Sequence, residues 1–486
     1  MKKSIAKNYL YNLTYQILVI ILPIITAPYL ARTLGPEGTG TYSYTISIVT
    51  YFILFGSLGI AMYGQREIAF HQEDKKEKAN IFLGIFILRC ITMIISMIAF
   101  YFIFARTGEY STYYKILLLE MLANIIDISW FYQGIEEFKK TATRNIIVKL
   151  LSVVCIFIFI KNPNDVAKYL GIYVGTTLLG NLALWINIKK YIGKIKFENL
   201  NLKKHLKSTI ALFIPQIAIQ VYTVLDKTMI GAILNDMTEV GYYEQSQKII
   251  KILLTIITSL GTVMMPRIAK CYADGKKEEI KEYMYKTFRF VFMLAFPLVF
   301  GIISVSKDFV PIFFGDGYEP VVQLINITSL IILFIGFSNV TGSQYLLATK
   351  KQKEFTISVI CGAVVNAVLN YILIPKFKAL GACIGTVIAE FTVTCVQIYF
   401  VRKSFSIFRI LKTSIKYMFS AIVMFIVSII VARIIKFKIL AICLQVLISG
   451  LCYAICLIIL KDKFVFEILN NLKNKYKVKV NINGKS

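Results

Sequence analysis

The chain has 486 residues, of which 57% are hydrophobic and only 17% are charged. Its mean hydropathy is +0.68, whereas soluble domains are typically about 45–50% apolar and about 25% charged. This composition excludes an ordinary soluble enzyme, a secreted disulfide scaffold and a disordered chain, and it predicts an all-α polytopic membrane protein.

The charge balance is strongly basic, with 55 Lys and Arg against 27 Asp and Glu and a net charge of +28. In a soluble protein this excess would suggest nucleic-acid binding. Here the basic residues lie in short clusters between apolar runs, which is typical of the cytoplasmic loops of membrane proteins. We therefore expect membrane lipids, and no nucleic acid, as partners.

Membrane-spanning helices need about 20 mostly apolar residues. The chain offers about 14 transmembrane helices, at roughly 9–31, 41–63, 81–105, 114–134, 145–161, 168–188, 208–231, 241–265, 286–305, 321–347, 355–375, 379–401, 411–433 and 439–460. The fifth is short, and the eighth begins with the polar stretch GYYEQSQK. The alternating pattern of an outer-membrane barrel does not occur.

The distribution of Lys and Arg predicts the orientation. Segments on the N-terminal side of the membrane carry about four times as many as the opposite loops, so this side is predicted to be cytoplasmic. The start MKKSIAKN runs directly into an apolar stretch without a cleavage site and indicates a first span rather than a removed signal peptide. We expect a multi-pass membrane protein with both termini in the cytoplasm.

Two stretches of the chain resemble two others at an offset of about 200 residues. The segment QREIAFHQEDKKEKANIFLGIFILRC, from Gln65, matches PRIAKCYADGKKEEIKEYMYKTFRF, from Pro266. Upstream, GTYSYTISI from Gly40 aligns with GYYEQSQKI from Gly241. Six spans separate the copies, and because six is even the copies share one topology.

This repetition predicts two six-helix lobes, 1–200 and 201–405, related by a pseudo-two-fold axis along the membrane normal. Two extra transmembrane helices at 406–460 and a basic cytoplasmic tail at 461–486 complete the predicted organisation.

Charged residues inside spans are energetically costly and are functional candidates by default. Most of them here are cationic, and Arg89 and Arg289 hold matching places in the two predicted lobes. A cationic cavity would attract an anionic substrate, and arginine suits a diphosphate because it donates two parallel hydrogen bonds. The candidate substrate-binding residues are Arg89, Lys227, Lys248, Lys251 and Arg289.

Other interpretations of these charges stay open. Glu244 and Lys248 lie four residues apart in the order that favours an ion pair on one helix. Asp226 and Lys227 are adjacent and point about 100° apart around a helix, so each needs another partner or an aqueous cavity. Asp127 and Asp226 are candidate coupling carboxylates, because a desolvated Asp is easily protonated.

Prolines mark the first helix of each predicted lobe. Pro23 and Pro28 lie in the first span and Pro215 lies in the seventh. An interior proline removes a backbone hydrogen bond and bends a helix. These three positions are candidate gating hinges, with a static kink as the alternative.

Enzymatic and metal-binding signatures are missing from the sequence. The nine cysteines have no CxxC spacing and form no cluster with His71 or His205. There is no Ser/His/Asp arrangement and no phosphate-cradling glycine loop. We expect no catalytic residue, no metal and no cofactor.

Several stretches together resemble the bacterial polysaccharide-repeat-unit flippases, the Wzx-like or RfbX-like branch of the multidrug/oligosaccharidyl-lipid/polysaccharide exporter superfamily. They are LARTLGPEGTGTYSY from Leu30, LGIAMYGQREIA from Leu58, WFYQGIEEFKKTATRN from Trp130, LDKTMIG from Leu225 and GYYEQSQKI from Gly241. Asp226 and Lys227 match the DK motif of that family. Beyond about residue 270 the likeness is mainly one of span pattern and length.

The resemblance implies fourteen spans in two lobes around a central cavity. It implies an undecaprenyl-diphosphate-linked oligosaccharide as substrate, moved from the cytoplasmic to the outer leaflet by alternating access. Polysaccharide polymerases and glycosyltransferases are the partners expected of such a protein.

Two rival functions remain. A multidrug or small-cation exporter of the same fold usually needs acidic residues in its cavity, and the cationic excess here argues against it. A membrane polysaccharide polymerase or ligase generally carries a large charged outer loop, whereas the predicted outer loops here are short and poor in charge.

Overall fold

The computed structural model describes residues 5–192, 200–435, 437–462 and 464–467. Side chains inside helices at 5–17, 19–20, 211–212, 214–216, 218–219, 221–222 and 262 fall outside that description. The described residues form helices and no strand, as predicted for an all-α membrane protein. Most of the tail predicted at 461–486 lies outside the described residues.

In the first half of the described chain the α-helices run in the order α1 Ile5–Ser57, α2 Ile60–Phe70, α3 Lys75–Phe100, α4 Ser111–Ile125, α5 Ser129–Gly134, α6 Phe138–Phe159, α7 Val166–Trp185 and α8 Leu202–Leu234. The second half continues with α9 Met237–Ala273, α10 Lys277–Phe314, α11 Pro320–Thr328, α12 Ile331–Ser338, α13 Gln352–Val401, α14 Ile407–Ile434 and α15 Lys438–Ile459. Short π-helical turns extend α3 over Tyr101–Ala105 and α12 over Asn339–Leu347.

Eleven segments of the described chain are long and apolar enough to cross a membrane. Two of them, Ile21–Phe70 and Gln352–Val401, have 50 residues each, more than twice the length that one span needs. Each contains one residue with non-helical dihedral angles, Gly35 and Lys378. If each of these two segments is counted as two spans and the 33-residue α8 is added, the eleven segments become the fourteen spans that the sequence predicts.

The break inside α1 has a local cause. Gly35 has φ 69° and ψ 179°, a backbone conformation that side chains with a Cβ rarely adopt. Pro36 follows, and proline fits the first turn of a helix because its missing N–H would have no partner there. Pro23 and Pro28 lie within helical backbone before this break. The chain therefore turns at Gly35, and the hinge role of the two prolines stays a prediction.

Internal contacts divide the chain into two compact units, Met1–Glu244 and Gln245–Ser486. The division falls inside α9, and the lobe boundaries at 200 and 405 stay predictions. Pro215 lies in α8, but its side chain is outside the described residues, so its role stays a prediction too.

In the unit Met1–Glu244, α1 contacts α3, α4, α6 and α8, while α7 contacts both α4 and α6. One apolar core joins α1, α3, α4 and α7 around Val49, Leu117 and Leu170. A second core surrounds the buried Trp130, whose ring stacks on Phe82 with the centroids 5.6 Å apart. These cores fix α1 and α3, against which α8 packs.

In the unit Gln245–Ser486, α10 is the central helix and contacts α11, α12, α14 and α15. Its aromatic side chains supply much of the core, and the rings of Phe288 and Phe337 have centroids 4.7 Å apart. On α13–α15, exposed side chains are largely apolar, as for Phe391, Ile430 and Leu451. Such apolar surface is expected where helices face lipid.

A glycine in the second core provides a test of the packing around Trp130. A Cβ built on Gly64 would lie 2.4 Å from the Trp130 ring, whereas one on Gly175 in α7 would meet nothing within 4 Å. Overpacking costs about 1–3 kcal/mol, while replacing an interior helical glycine with alanine gains about 1 kcal/mol. Gly64→Ala should therefore lower the unfolding temperature of the detergent-purified protein, and Gly175→Ala should leave it unchanged or raise it. Equal shifts for the two variants would contradict this packing.

Candidate functional site

Buried polar side chains collect where α1, α8 and the first turns of α9 meet, within the unit Met1–Glu244. They come from the half of α1 after the Gly35 break, from the middle of α8 and from the start of α9. We call this group the polar cluster, and its members are Ser43, Ser47, Tyr51, Asp226, Lys227, Thr228, Tyr243 and Glu244.

An ion pair between α8 and α9 forms the centre of the cluster. The Nζ of Lys227 lies 3.0 Å from the Oε2 of Glu244, and these side chains are 16% and 15% exposed. The Oγ of Ser43 on α1 donates a hydrogen bond of 2.9 Å to the same carboxylate oxygen. Three helices are therefore joined at one oxygen atom.

Asp226 has a different partner from its neighbour Lys227. The hydroxyl of Tyr243 donates a hydrogen bond to Oδ2 of Asp226, whose side chain is buried. Two consecutive residues of α8 thus pair with two consecutive residues of α9. The adjacent charges Asp226 and Lys227 therefore have separate partners on α9, and Lys227 is paired with Glu244.

Hydroxyl groups extend the cluster along α1. The Oγ1 of Thr228 lies 3.2 Å from Ser47 Oγ and 3.2 Å from Tyr51 OH. Ser43, Ser47 and Tyr51 are spaced at four-residue intervals and so lie on one face of α1. This face presents polar groups to α8 over about two turns.

The backbones of α1 and α9 meet at two glycines beside the cluster. A Cβ on Gly40 would lie 1.6 Å from the carbonyl oxygen of Met237, and one on Gly241 would lie 2.0 Å from the carbonyl oxygen of Pro36. Gly40 and Gly241 are the aligned positions of the sequence repeat, and Pro36 and Met237 align at the same offset. Each segment therefore contacts the other through the same residues, which is the pattern of a two-fold contact.

The remaining candidates of the first unit lie at a helix break. Arg89 is 4% exposed, and its Nη1 donates a hydrogen bond of 2.8 Å to the backbone carbonyl oxygen of Asp127, between α4 and α5. The Oδ1 of Asp127 accepts from the backbone N of Ser129 at 2.9 Å and lies 3.4 Å from Nη2 of Arg144. In this conformation both side chains stabilise the break, and their roles in binding and coupling stay predictions.

Lys248, Lys251 and Arg289 belong to the unit Gln245–Ser486. Lys248 is half-buried and Lys251 is exposed on α9. Arg289 of α10 lines a small cavity of about 10 Å³ together with Arg409 of α14. Of the five predicted cationic residues, Lys227 is the one that belongs to the polar cluster of the first unit.

Sequence reasoning missed Glu120 in α4, a buried carboxyl that is 8% exposed. Its Oε1 accepts a hydrogen bond of 2.9 Å from Tyr173 of α7, and its Oε2 has no hydrogen-bond partner among the described residues. The signal was a single glutamate inside the apolar run KILLLEMLANII. Across the part of the chain that the structure describes, no group of three His, Cys, Asp or Glu side chains is arranged to hold a metal ion.

The Lys227–Glu244 pair can be tested with neutral isosteres. Lys227→Gln removes the ion pair with the half-buried Glu244 carboxylate, and a group that loses a hydrogen-bond partner away from water costs about 1–3 kcal/mol. We expect Lys227→Gln and Glu244→Gln each to lower the unfolding temperature, and the double variant to recover part of the loss. Interacting residues show coupling energies of about 0.5–3 kcal/mol, and strictly additive effects would refute the pair.

Two family models match the chain. One, described as "Polysaccharide biosynthesis protein", matches residues 5–272, which is more than half of the chain, and the second, MatE, matches residues 211–372. A protein of Escherichia coli K12 named "Putative O-antigen transporter" is 26% identical over 410 residues, covering 83% of this chain and 98% of its own. "Capsular polysaccharide biosynthesis protein CapF" of Staphylococcus aureus is 22% identical over 404 residues, covering 82% and 100%.

Solved structures share the fold at low sequence identity. The chain is similar to a lipid II flippase MurJ in an inward closed conformation, with a TM-score of 0.79, 16% identity and coverage of 93% of this chain and 99% of that one. An inward-facing multidrug resistance MATE transporter of the MOP superfamily follows at a TM-score of 0.63, 14% identity and coverage of 83% and 98%. With more than half of its residues matched by the family model, the chain belongs to the polysaccharide biosynthesis protein family.

Proposed function

We propose that the protein is a flippase that moves an undecaprenyl-diphosphate-linked oligosaccharide from the cytoplasmic to the outer leaflet of a bacterial inner membrane. The observation that carries the proposal is the half-buried ion pair Lys227–Glu244, which lies among membrane helices in a chain of this family. A charged pair away from water is costly and marks a substrate or ion pathway by default. Relatives named for O-antigen transport and for lipid II flipping support the substrate class.

The ion pair suggests how a diphosphate is recognised. Lys227 donates to one oxygen of Glu244, which Ser43 also binds. A diphosphate offers several anionic oxygens and competes with this carboxylate for the ammonium group. When Lys227 turns to the substrate, its ion pair with Glu244 breaks and the link between α8 and α9 weakens. Substrate binding is thereby coupled to the separation of helices.

The glycine contact between α1 and α9 is the proposed outer gate. Gly40 and Gly241 follow the short loops that the Lys/Arg bias assigns to the outer face. Because the backbones touch, closure at this point leaves no room for a sugar chain. Opening it, while the cytoplasmic side closes, is the alternating-access step, and Pro23, Pro28 and Pro215 are the proposed hinges.

An ion gradient supplies a directional drive in this proposal. Asp127 and Asp226 remain the proposed coupling carboxylates, and the buried Glu120 joins them. Protonation of Asp226 would exchange a carboxylate acceptor for a carboxylic acid at the Tyr243 hydroxyl. No covalent step is required, so the proposed activity is transport without catalysis. Polymerases and glycosyltransferases of the same glycan are the proposed partners.

Drug export is the second candidate, because the MatE model matches residues 211–372, which contain most of α8 and all of α9. A cation-binding cavity needs a carboxylate that is available to the cation. In the polar cluster, Glu244 is paired with Lys227 and Asp226 accepts a hydrogen bond from Tyr243, which favours an anionic substrate.

Depletion of the protein in its native host tests the proposed function. Lipids would be extracted and analysed by mass spectrometry for polyprenyl-diphosphate saccharides, and an impermeant glycan-modifying reagent would report their leaflet. We expect accumulation on the cytoplasmic side. An unchanged lipid pool together with lost resistance to a panel of cationic drugs would instead establish the second candidate.

The neutral variants separate substrate binding from stability. The double variant Lys227→Gln/Glu244→Gln should regain part of the unfolding temperature that each single variant loses. It should nevertheless flip the lipid at least about tenfold more slowly, because the diphosphate loses a charge-assisted hydrogen bond of about 1.5–3 kcal/mol. Lys227→Arg keeps a cation and should retain part of the activity. Full flipping by the neutral double variant would assign Lys227 a purely structural role.

A further inference from the structure

A cavity of about 490 Å³ lies between α6 and α7 in the unit Met1–Glu244. Ligand pockets for small molecules usually have about 300–1,000 Å³. The start of α6 and the end of α7 form one end of this groove, and its walls continue for about three turns along both helices. We call it the α6–α7 groove.

The two ends of the groove differ in chemistry. Basic side chains lie at the end where α6 begins, namely Lys139, Lys140 and Arg144, together with one acid, Glu137. Further along, the walls are apolar, and Ile147 and Leu179 are 58% and 60% exposed. A groove with this layout matches a molecule that has an anionic head and an apolar chain.

Aromatic contacts hold the basic end in place. The Nζ of Lys140 lies 5.0 Å from the centroid of the Tyr132 ring and 4.4 Å from that of Tyr191. The hydroxyl of Tyr132 donates a hydrogen bond of 2.6 Å to the carbonyl oxygen of Leu184, and Tyr191 donates one of 3.4 Å to Glu137. The acid is therefore already bound to a tyrosine, and Lys140 is oriented before any ligand arrives.

Arg144 lines the basic end of the groove. Its Nη2 lies 3.4 Å from Asp127 Oδ1, and its Nε is buried and has no hydrogen-bond partner among the described residues. A phosphate at this end of the groove would offer the guanidinium group a further acceptor and would neutralise the excess of positive charge.

We propose that the α6–α7 groove binds an anionic membrane phospholipid, with its phosphate at Lys139, Lys140 and Arg144 and an acyl chain along the apolar walls. Basic pockets between transmembrane helices on the cytoplasmic side bind anionic lipid headgroups, and the Lys/Arg bias assigns this end of α6 to the cytoplasm. Four neutral polar side chains line the groove, and two of them, Thr176 and Tyr132, already donate to backbone carbonyls, which leaves Thr143 and Asn187 for a ligand. This favours a compact headgroup over a chain of sugars.

A pair of tryptophan variants on α7 tests the proposal. Ala183 lines the groove, whereas its neighbour Leu182 is exposed to lipid and does not line it. Ala183→Trp fills the groove without touching its charges, and Leu182→Trp is the matched control. In native mass spectrometry of the full-length protein with added cardiolipin, we expect Ala183→Trp to lose the most strongly retained lipid adduct and Leu182→Trp to keep it. Loss of the lipid adduct in both variants, or its retention in both, would overturn the assignment.

A charge variant keeps the test decisive if Ala183→Trp fails to fold. One Lys near the surface contributes about 1 kcal/mol to the binding of anionic lipid, so Lys139→Gln should weaken cardiolipin binding about fivefold. Lys189→Gln, an exposed lysine after α7 outside the groove, should leave it unchanged.

Three further probes identify the ligand class. Phosphatidylcholine should bind much more weakly than cardiolipin, and equal binding would refute a charge-specific site. Inorganic phosphate should not displace the lipid at the same concentration, since it lacks the acyl chain. Displacement by equimolar undecaprenyl phosphate would assign the groove to the transported lipid and overturn the proposal. These results do not depend on whether the protein is a flippase.

Discussion

The hydrocarbon interior of a membrane offers no water to satisfy the polar groups of the backbone, and the rest of this structure depends on that constraint. Continuous helices satisfy the backbone N–H and C=O groups along most of the described chain. Where a helix is interrupted, a side chain takes over, as when Arg89 donates to the Asp127 carbonyl oxygen between α4 and α5. The same constraint makes a buried charge energetically costly unless another group pairs with it. It explains why Asp226 and Lys227 each have a partner of their own on α9.

The all-helical membrane fold could be predicted from the sequence because its signals are repeated along the chain. Apolar runs of sufficient length gave the spans, and the break at Gly35 falls between the first two of them. The partners within the polar cluster could not be predicted in the same way. A local rule favoured Glu244 with Lys248 on one helix, and such a rule cannot show that the packing of α8 against α9 brings Lys227 to Glu244.

Arg89 illustrates a second limit. The sequence marks it as a charge deep within a span, and it is indeed buried, but a buried cation can bind a ligand or a backbone carbonyl. Which of the two it meets depends on where α4 ends, and an interruption of a few residues is invisible in hydropathy. The α6–α7 groove could not be predicted from the sequence for a related reason, since its shape comes from the spacing of two helices rather than from any motif.

The contact at Gly40 and Gly241 is made by equivalent residues of two related segments. A chain that held only one such segment would make the same contact with a second copy of itself, as in a symmetric dimer. Joining the segments in one polypeptide replaces a dimerisation constant with an effective concentration that is set by the intervening helices. The contact can then be weak and still re-form after it opens, because the two sides cannot diffuse apart and the dilution of the protein does not change how often they meet.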